Sequence, residues 1–436
     1  MTSEIAIMNK SAVALAADSA VTVSSSQDNS YKVRNSANKL FSLSKYAPVG
    51  LMIYGNANLL GIPWETIVKM YRSHLDKTEF ATLTDYCKDF FSFLDKFDVT
   101  DDVQQRYLSF AACSCFQDIR KEFDHWVEEK LKAHTEVTSK QIASNLARCI
   151  RSRYDHLMSI IDRAAHSKAK LSNLRNTYRS IVKVIAQEIF EELPLSKMMH
   201  TKLLTIAINA ASVGHDKGTG IVIAGFGIND LYPQCQEFGV SAVFAGKTIK
   251  SERRHRIISE STRSSIIPFA QSDDVRTFLE GIGPDIGRFL KESFFNIMAD
   301  QLPNLLCDEA VTKLNLSEQQ IKDLRKISTD MCSGACNIAF ENLQEQQQLY
   351  YIKPVTTATS ILNKSELAAM AETLVNLVSF RKQVTPEVET VGGPIDVAVI
   401  TKGDGFIWVK RKHYFKPELN HQFFDNYYRK VNTDGK

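Results

Sequence analysis

Residues 1–22 read MTSEIAIMNKSAVALAADSAVT, and this stretch decides the fold. Two short apolar runs, residues 5–8 and 12–17, flank Asn9-Lys10-Ser11. The pattern predicts a hairpin of buried strands whose far end delivers Asp18 back towards Thr2. Removal of Met1 would leave a threonine with its hydroxyl and a free α-amine on one residue. A hydroxyl is a poor nucleophile until a base takes its proton, and an N-terminal amine can be that base. The ordinary pKa of such an amine is about 7.7–8.0, so a modest downward shift gives a large neutral fraction at physiological pH. A small residue after Met1 is common, and Thr2 gains weight only from the rest of the chain.

Composition sets the bounds. The chain has 436 residues, 44% apolar and 24% charged, which suits one core with large insertions. A net charge of +3 is too small to point to nucleic acid or an anionic membrane. No apolar run is long enough to span a bilayer. Glu4 and Asp18 interrupt the N-terminal stretch and it lacks a basic flank, so it does not read as a signal peptide. The expected location is the cytoplasm. Eight cysteines are present, and the close pairs, Cys113 with Cys115 and Cys332 with Cys336, lack zinc-ribbon spacing. They read as reduced thiols packed in helices. The ten histidines are scattered with no HExxH pattern, so neither a metal nor a cofactor is expected.

Outward from the hairpin, the polar residues 23–37 read as a loop or ragged extension. Residues 39–43 form a short strand. Residues 49–54 form an apolar strand closed by Gly55, where a ligand can meet a backbone N–H. Pro63 suits a first helical turn, and Trp64, Ile67, Val68 and Tyr71 share one helix face. Residues 77–213 read almost wholly as helix, their charges on solvated faces, with 203–213 a core helix. Strands return at 221–225, 240–244 and 266–269. Ser272 or Asp273 is the expected N-cap of the helix that follows. Residues 285–350 are mostly helical with breaks at Pro303 and Gly334, and Ser365-Glu366 opens a further helix to about residue 382. Val391-Gly392-Gly393-Pro394 leads into a strand at 395–401, a turn at 402–405 and a returning strand at 406–410. The aromatic and charged tail packs on the body or against a neighbouring subunit. Buried strands in both halves with helices in pairs predict an α+β fold, two packed sheets between helical layers in a four-layer αββα sandwich.

These residues, in this order, resemble a proteasome β-type subunit of the N-terminal-nucleophile (Ntn) hydrolase superfamily. The motifs are Thr2 with the strand pair ending Ala16-Ala17-Asp18 and then Val21-Thr22; Asn38-Lys39-Leu40-Phe41; Gly50-Leu51-Met52-Ile53-Tyr54-Gly55; Ile223-Ala224-Gly225-Phe226; residues 270–280; and Gly392-Gly393-Pro394-Ile395 with 396–401. They cover about half of the chain. The resemblance implies an Ntn-hydrolase core at 1–76, 198–284 and 364–412. Residues 77–197 and 285–363 would be helical insertions, and 413–436 a C-terminal tail.

The resemblance also implies roles. Thr2 would be the nucleophile and its α-amine the base, freed by methionine aminopeptidase since no propeptide precedes it. Lys39 would lower the amine pKa and stabilise negative charge, and Asp18 would hold Lys39. Thr22 would offer backbone groups to an extended substrate, and the Gly55 N–H would meet the oxyanion. Val388 and Val391 stand where the family usually has an Asp and a Ser supporting the amine. Glu387, Glu389 or Thr390 would substitute only through a changed backbone, and Ser272 survives from a serine-rich turn; Ser272 and Glu389 are thus the candidate supporting groups. The leading function is a threonine peptidase acting on peptides or unfolded protein. The alternatives are an amidohydrolase for a small amide and a non-catalytic scaffold subunit. The implied partners are further copies of the chain in a homo-oligomer and an ATP-dependent unfoldase, with no nucleic acid and no membrane.

Overall fold

The computed structural model describes residues 2–24, 31–134, 136–160, 168–214, 218–314, 316–385, 391–412, 415–422 and 425. The chain divides into two units, Met1–Leu40 with Ile257–Lys436, and Phe41–Arg256. It is a mixed α/β protein whose larger sheets are antiparallel.

In the first unit five strands lie in the order Ser264–Ala270, Ser3–Asn9, Ala12–Ala17, Asp396–Thr401, Gly405–Lys410. The expected hairpin forms, with Glu4 opposite Ala17 and Met8 opposite Val13. Asn9 makes its turn: the side-chain oxygen accepts the Ser11 and Ala12 N–H groups at 3.0 and 3.2 Å. The strand from the end of the chain completes the hairpin, pairing Asp396 with Ala17 and Thr401 with Ala12. Both central strands are buried along their whole length, which is why they read as continuous apolar runs.

Helix Lys364–Val384 covers one face of this sheet. Its Leu367, Ala371, Leu374 and Val378 join Ile5, Ile7, Ala12, Ala14 and Ala16 in one apolar cluster. Alternate alanines on the strand let the helix backbone come close, and each buried leucine contributes about 1.5–3 kcal/mol. Asn363 caps this helix in a reciprocal box with Glu366, so it opens one residue before the expected start. Among the described residues, 284–313 and 318–361 are helical, with π-turns at Asn296–Gln301 and Gln348–Ile352, which agrees with the expectation of a mostly helical stretch at 285–350. Pro303 sits in the first turn of Leu302–Lys313, where a missing N–H costs nothing. Gly334 does not break its helix, contrary to expectation. Glu318–Gln347 runs straight through it at a cost of about 1 kcal/mol in helix propensity.

In the second unit the sheet order is Lys247–Ile257, Gln234–Phe244, Thr219–Gly225, Val49–Tyr54, Leu40–Ser42, the last strand starting at the unit boundary. Helices Trp64–Leu75 and Leu83–Asp95 bury Trp64, Tyr71 and Phe90 with Leu51, Ile53, Ile221 and Phe238. The Trp64 indole donates to Thr219 Oγ1 at 2.9 Å, satisfying the one polar atom of a fully buried ring. Helices Asp101–Lys132, Ser139–Ile160, Lys168–Phe190 and Lys197–Val213 build a second core around Phe116, Ile150, Phe190 and Leu203.

Two extended elements depart from the expectation. Residues 21–24 and 31–34 pair as a small antiparallel ladder, most of it within residues 23–37, the stretch read as a loop or ragged extension. Lys247–Ile257 is an eleven-residue edge strand that the sequence does not announce. Ala245 and Gly246, both with positive φ, make the tight turn into it.

Candidate active site

The register of the first hairpin places Asp18 across from Ser3, the residue that follows Thr2. Two backbone-directed bonds fix that relation: the Asp18 N–H donates to the Ser3 carbonyl at 3.1 Å, and the Ser3 N–H donates to Asp18 Oδ1 at 3.0 Å. On its other side Thr2 is held by its own carbonyl, which accepts the Gln271 N–H at 3.1 Å. Thr2 is buried, 6% exposed.

Lys39 stands immediately before strand Leu40–Ser42 and turns its ammonium onto the same carboxylate, Nζ to Asp18 Oδ1 at 2.6 Å. The Lys39 side chain is 5% exposed and that of Asp18 is fully enclosed. An enclosed ion pair persists only where the remaining lone pairs are also satisfied. Here they are. Asp18 Oδ2 accepts the N–H of Gly392 at 3.1 Å and that of Ala20 at 3.2 Å. One carboxylate thus binds one ammonium and three peptide N–H groups, from residues 3, 20 and 392.

The closing segment is tied to the same turn. The Ser19 N–H donates to the Gly392 carbonyl at 3.2 Å, and Ser19 Oγ donates to the Pro394 carbonyl at 2.5 Å. The Ser19 carbonyl accepts the Ala37 N–H at 3.1 Å, which sets the approach of Lys39 two residues later. Gly393 has φ +76°, and a Cβ there would lie 2.7 Å from Asn35 Cβ, so only glycine fits. Asp396, the first residue of the next strand, is buried, and its carboxylate accepts both the ammonium and the N–H of Lys412.

The other sequence candidates fall as follows. Thr22 lies in strand Val21–Ser24, its backbone in register with Val33. Ser272 occupies the N-cap position of helix Asp273–Glu280, but its side chain makes no capping bond; its carbonyl accepts the Arg276 N–H at 2.8 Å. Glu389 lies outside the described residues, as do Glu387, Val388 and Thr390. Val391 is fully buried in the apolar cluster under the first sheet. Gly55 belongs to the second unit, where it closes strand Val49–Tyr54 with φ +83°; a Cβ there would meet the Gly218 carbonyl at 2.8 Å. Sequence reasoning missed the Ala20 and Gly392 N–H groups as partners of Asp18, and Ser19 as the tie to the closing segment. Ser19 has no motif of its own, and Gly392 acts through a peptide group that any residue type carries.

Among the described residues, no group of three or more His, Cys, Asp and Glu side chains is placed to hold a metal ion. None of the described helices is long and apolar enough to cross a membrane.

No protein-family model matches the chain, and no curated protein sequence matches it. Among solved structures, an Anbu (Gly-1) mutant from Hyphomicrobium sp. strain MC1 aligns over 99% of this chain and 97% of its own, at 8% identity and a TM-score of 0.27. Anbu from Yersinia bercovieri, described as an ancestral beta-subunit, aligns over 99% and 97% at 9% identity and a TM-score of 0.27. Both are weak likenesses, and neither assigns a family to this chain.

Proposed function

We propose that the chain is a proteasome-like threonine peptidase, an N-terminal-nucleophile hydrolase that cleaves peptide bonds through an ester on Thr2. The observation that carries this reading is the enclosed Asp18 carboxylate, which binds the Lys39 ammonium at 2.6 Å and the Ser3 N–H at 3.0 Å on the same oxygen. The Lys39 ammonium and the peptide N–H that directly follows Thr2 thus converge on one carboxylate oxygen. An ammonium charge lowers the proton affinity of a nearby amine and stabilises negative charge developing on a nearby oxygen.

In this reading Met1 is removed first. The neutral Thr2 amine takes the Oγ proton through a water, and Oγ attacks the substrate carbonyl carbon. The C–N bond breaks as the ammonium returns the proton to the leaving nitrogen, which leaves an acyl ester on Oγ. A water, deprotonated by the same amine, then attacks the ester; the carboxylic acid departs and the hydroxyl is restored. The oxyanion role is assigned to the Gly55 N–H, a donor type whose loss typically costs about 2.7–4 kcal/mol of transition-state stabilisation. Thr22 would present backbone groups to an extended substrate.

The four-layer αββα sandwich belongs to the same proposal, with residues 77–197 and 285–363 as insertions on a core of 1–76, 198–284 and 364–412. The five-stranded antiparallel sheet in each unit supports it. The proposed cytoplasmic setting, the homo-oligomer and the delivery of unfolded chains by an ATP-dependent unfoldase follow from the peptidase reading. One observation favours a second reading. Val391 is fully buried where the resemblance expects a supporting serine, which suits a subunit that keeps the fold without turnover.

Fluorogenic peptide hydrolysis separates the two. Wild type lacking Met1 should turn over peptides, and Thr2→Ala should not. If wild type with a free Thr2 amine turns over neither peptides nor small amides, the scaffold reading replaces the peptidase. Turnover of small amides alone makes the chain an amidohydrolase.

A further inference from the structure

Gly55 leaves strand Val49–Tyr54 with φ +83°, and residues 55–58 are exposed. A turn that is open to water and in the left-handed region keeps one direction only where its neighbours hold it. Here the hold comes from three consecutive residues, Gly218 and the first two of strand Thr219–Gly225.

Ahead of Gly55 the held residue is Tyr54. Its backbone stands opposite Gly220, and its ring lies over that glycine: a Cβ on Gly220 would come within 2.0 Å of the ring. The phenol donates to Glu237 Oε1 and accepts a bond from Arg253 Nη1 at 2.9 Å. Arg254 Nε stands 3.3 Å from the other Glu237 oxygen. Burial first, and the Glu237 carboxylate next, raise the Tyr54 pKa, so the phenol stays protonated as a donor. Gly55 itself rests against the Gly218 carbonyl, the close approach that excludes a Cβ.

Behind Gly55 the hold is Thr219, which is 2% exposed. Its hydroxyl accepts the Trp64 indole N–H at 2.9 Å and donates to the Asn56 carbonyl at 2.9 Å. Chemistry forces that direction. An indole N–H can only donate, a carbonyl can only accept, and the hydroxyl has one proton to give. Fully buried Trp64 also donates its main-chain N–H to the Ala57 carbonyl at 3.1 Å. One buried residue therefore ties two successive carbonyls of the turn, Ala57 directly and Asn56 through Thr219. Valine would fill the place of Thr219 without either bond, whereas serine keeps both.

We infer that Thr219 is a positioning residue for the Gly55 N–H: its hydroxyl, held by the Trp64 indole, fixes the turn behind Gly55 while Tyr54 fixes the strand end ahead of it. The inference rests on the peptidase reading, in which that N–H meets the oxyanion. An oxyanion donor works only when it is aimed before the charge develops. Thr219 acts through the main chain and not on the substrate.

Peptide hydrolysis and hydrogen–deuterium exchange of the full chain test it, in wild type lacking Met1, Thr219→Val, Thr219→Ser and Tyr54→Phe. Thr219→Val should lower kcat about 10- to 100-fold with KM within about 3-fold of wild type, the pattern of a misaimed transition-state donor. Thr219→Ser should return kcat to within about 3-fold of wild type, which a mere loss of packing would not allow. Exchange of the amides of residues 55–58 should rise at least about 10-fold in Thr219→Val and fall back in Thr219→Ser. Tyr54→Phe should lose about 3- to 10-fold in kcat, and it decides the matter if Thr219→Val fails to fold. A folded Thr219→Val with wild-type kcat and exchange overturns the inference and leaves the peptidase reading standing. So does a fall that Thr219→Ser does not restore. A wild type lacking Met1 that cleaves no peptide overturns the peptidase reading, and the exchange rates alone then decide the positioning.

Discussion

Lys39 Nζ lies 2.6 Å from Asp18 Oδ1, and both side chains are shut away from solvent. The two ends of this pair are not equally supported. Asp18 also accepts three peptide N–H groups, whereas Asp18 is the ion-pair partner of Lys39 among the described residues. Asp18→Asn therefore strands a buried ammonium and should cost about 3–5 kcal/mol. Lys39→Met leaves a carboxylate that keeps its three peptide donors, and should cost less. Urea denaturation of both variants checks the order; a larger loss for Lys39→Met contradicts it.

Gly55 tests the second unit in the same way. Its φ is +83°, and the Gly218 carbonyl oxygen lies 2.8 Å from where a Cβ would stand, so alanine is both strained and crowded. Gly55→Ala should lower stability by about 1–3 kcal/mol, read as a fall in Tm. An unchanged Tm would mean that the strand end relaxes freely.

Alkaline pH should expose the buried thiols. Burial pushes the Cys235 thiol up to about 12, and the nearby Glu237 carboxylate acts in the same direction. Burial raises the Cys87 thiol likewise. An unfolded thiol ionises near about 8.5, so above that pH the unfolded chain loses protons that the folded chain retains. Stability is then fully present below about pH 8.5 and falls as pH rises towards 12, by up to about 1.4 kcal/mol per pH unit for each such thiol. Urea denaturation at pH 8 and pH 10 should show this fall, and Cys235→Ala should reduce it. Equal slopes for the two proteins would contradict the assignment.

What the sequence made legible follows from how each element is encoded. The hairpin of residues 3–17 and the strand of residues 396–401 are continuous apolar runs beside strong turn residues, so local pattern and tertiary pairing agree. The edge strand Lys247–Ile257 is written as KTIKSERRHRI, whose charges suit an edge open to water but mimic a solvated loop. Gly334 reads as a break because propensity is local, whereas the helix is carried by the turns on either side of it. At the candidate site, Asp18 and Lys39 were legible as side chains of the right type. The Ser19 and Gly392 contacts were not, because each has a main-chain group of the closing segment as one partner, over 370 residues away in sequence.

The claim that Thr2 is a nucleophile with its own amine as base is tested most directly by intact-mass spectrometry after incubation with a peptide epoxyketone. That reagent must react with both a hydroxyl and a free α-amine on one residue. The account predicts a wild-type chain without Met1 that gains one inhibitor, and a Thr2→Ala chain that gains none. A native chain that retains Met1 and stays unmodified, or equal labelling of Thr2→Ala, would contradict it.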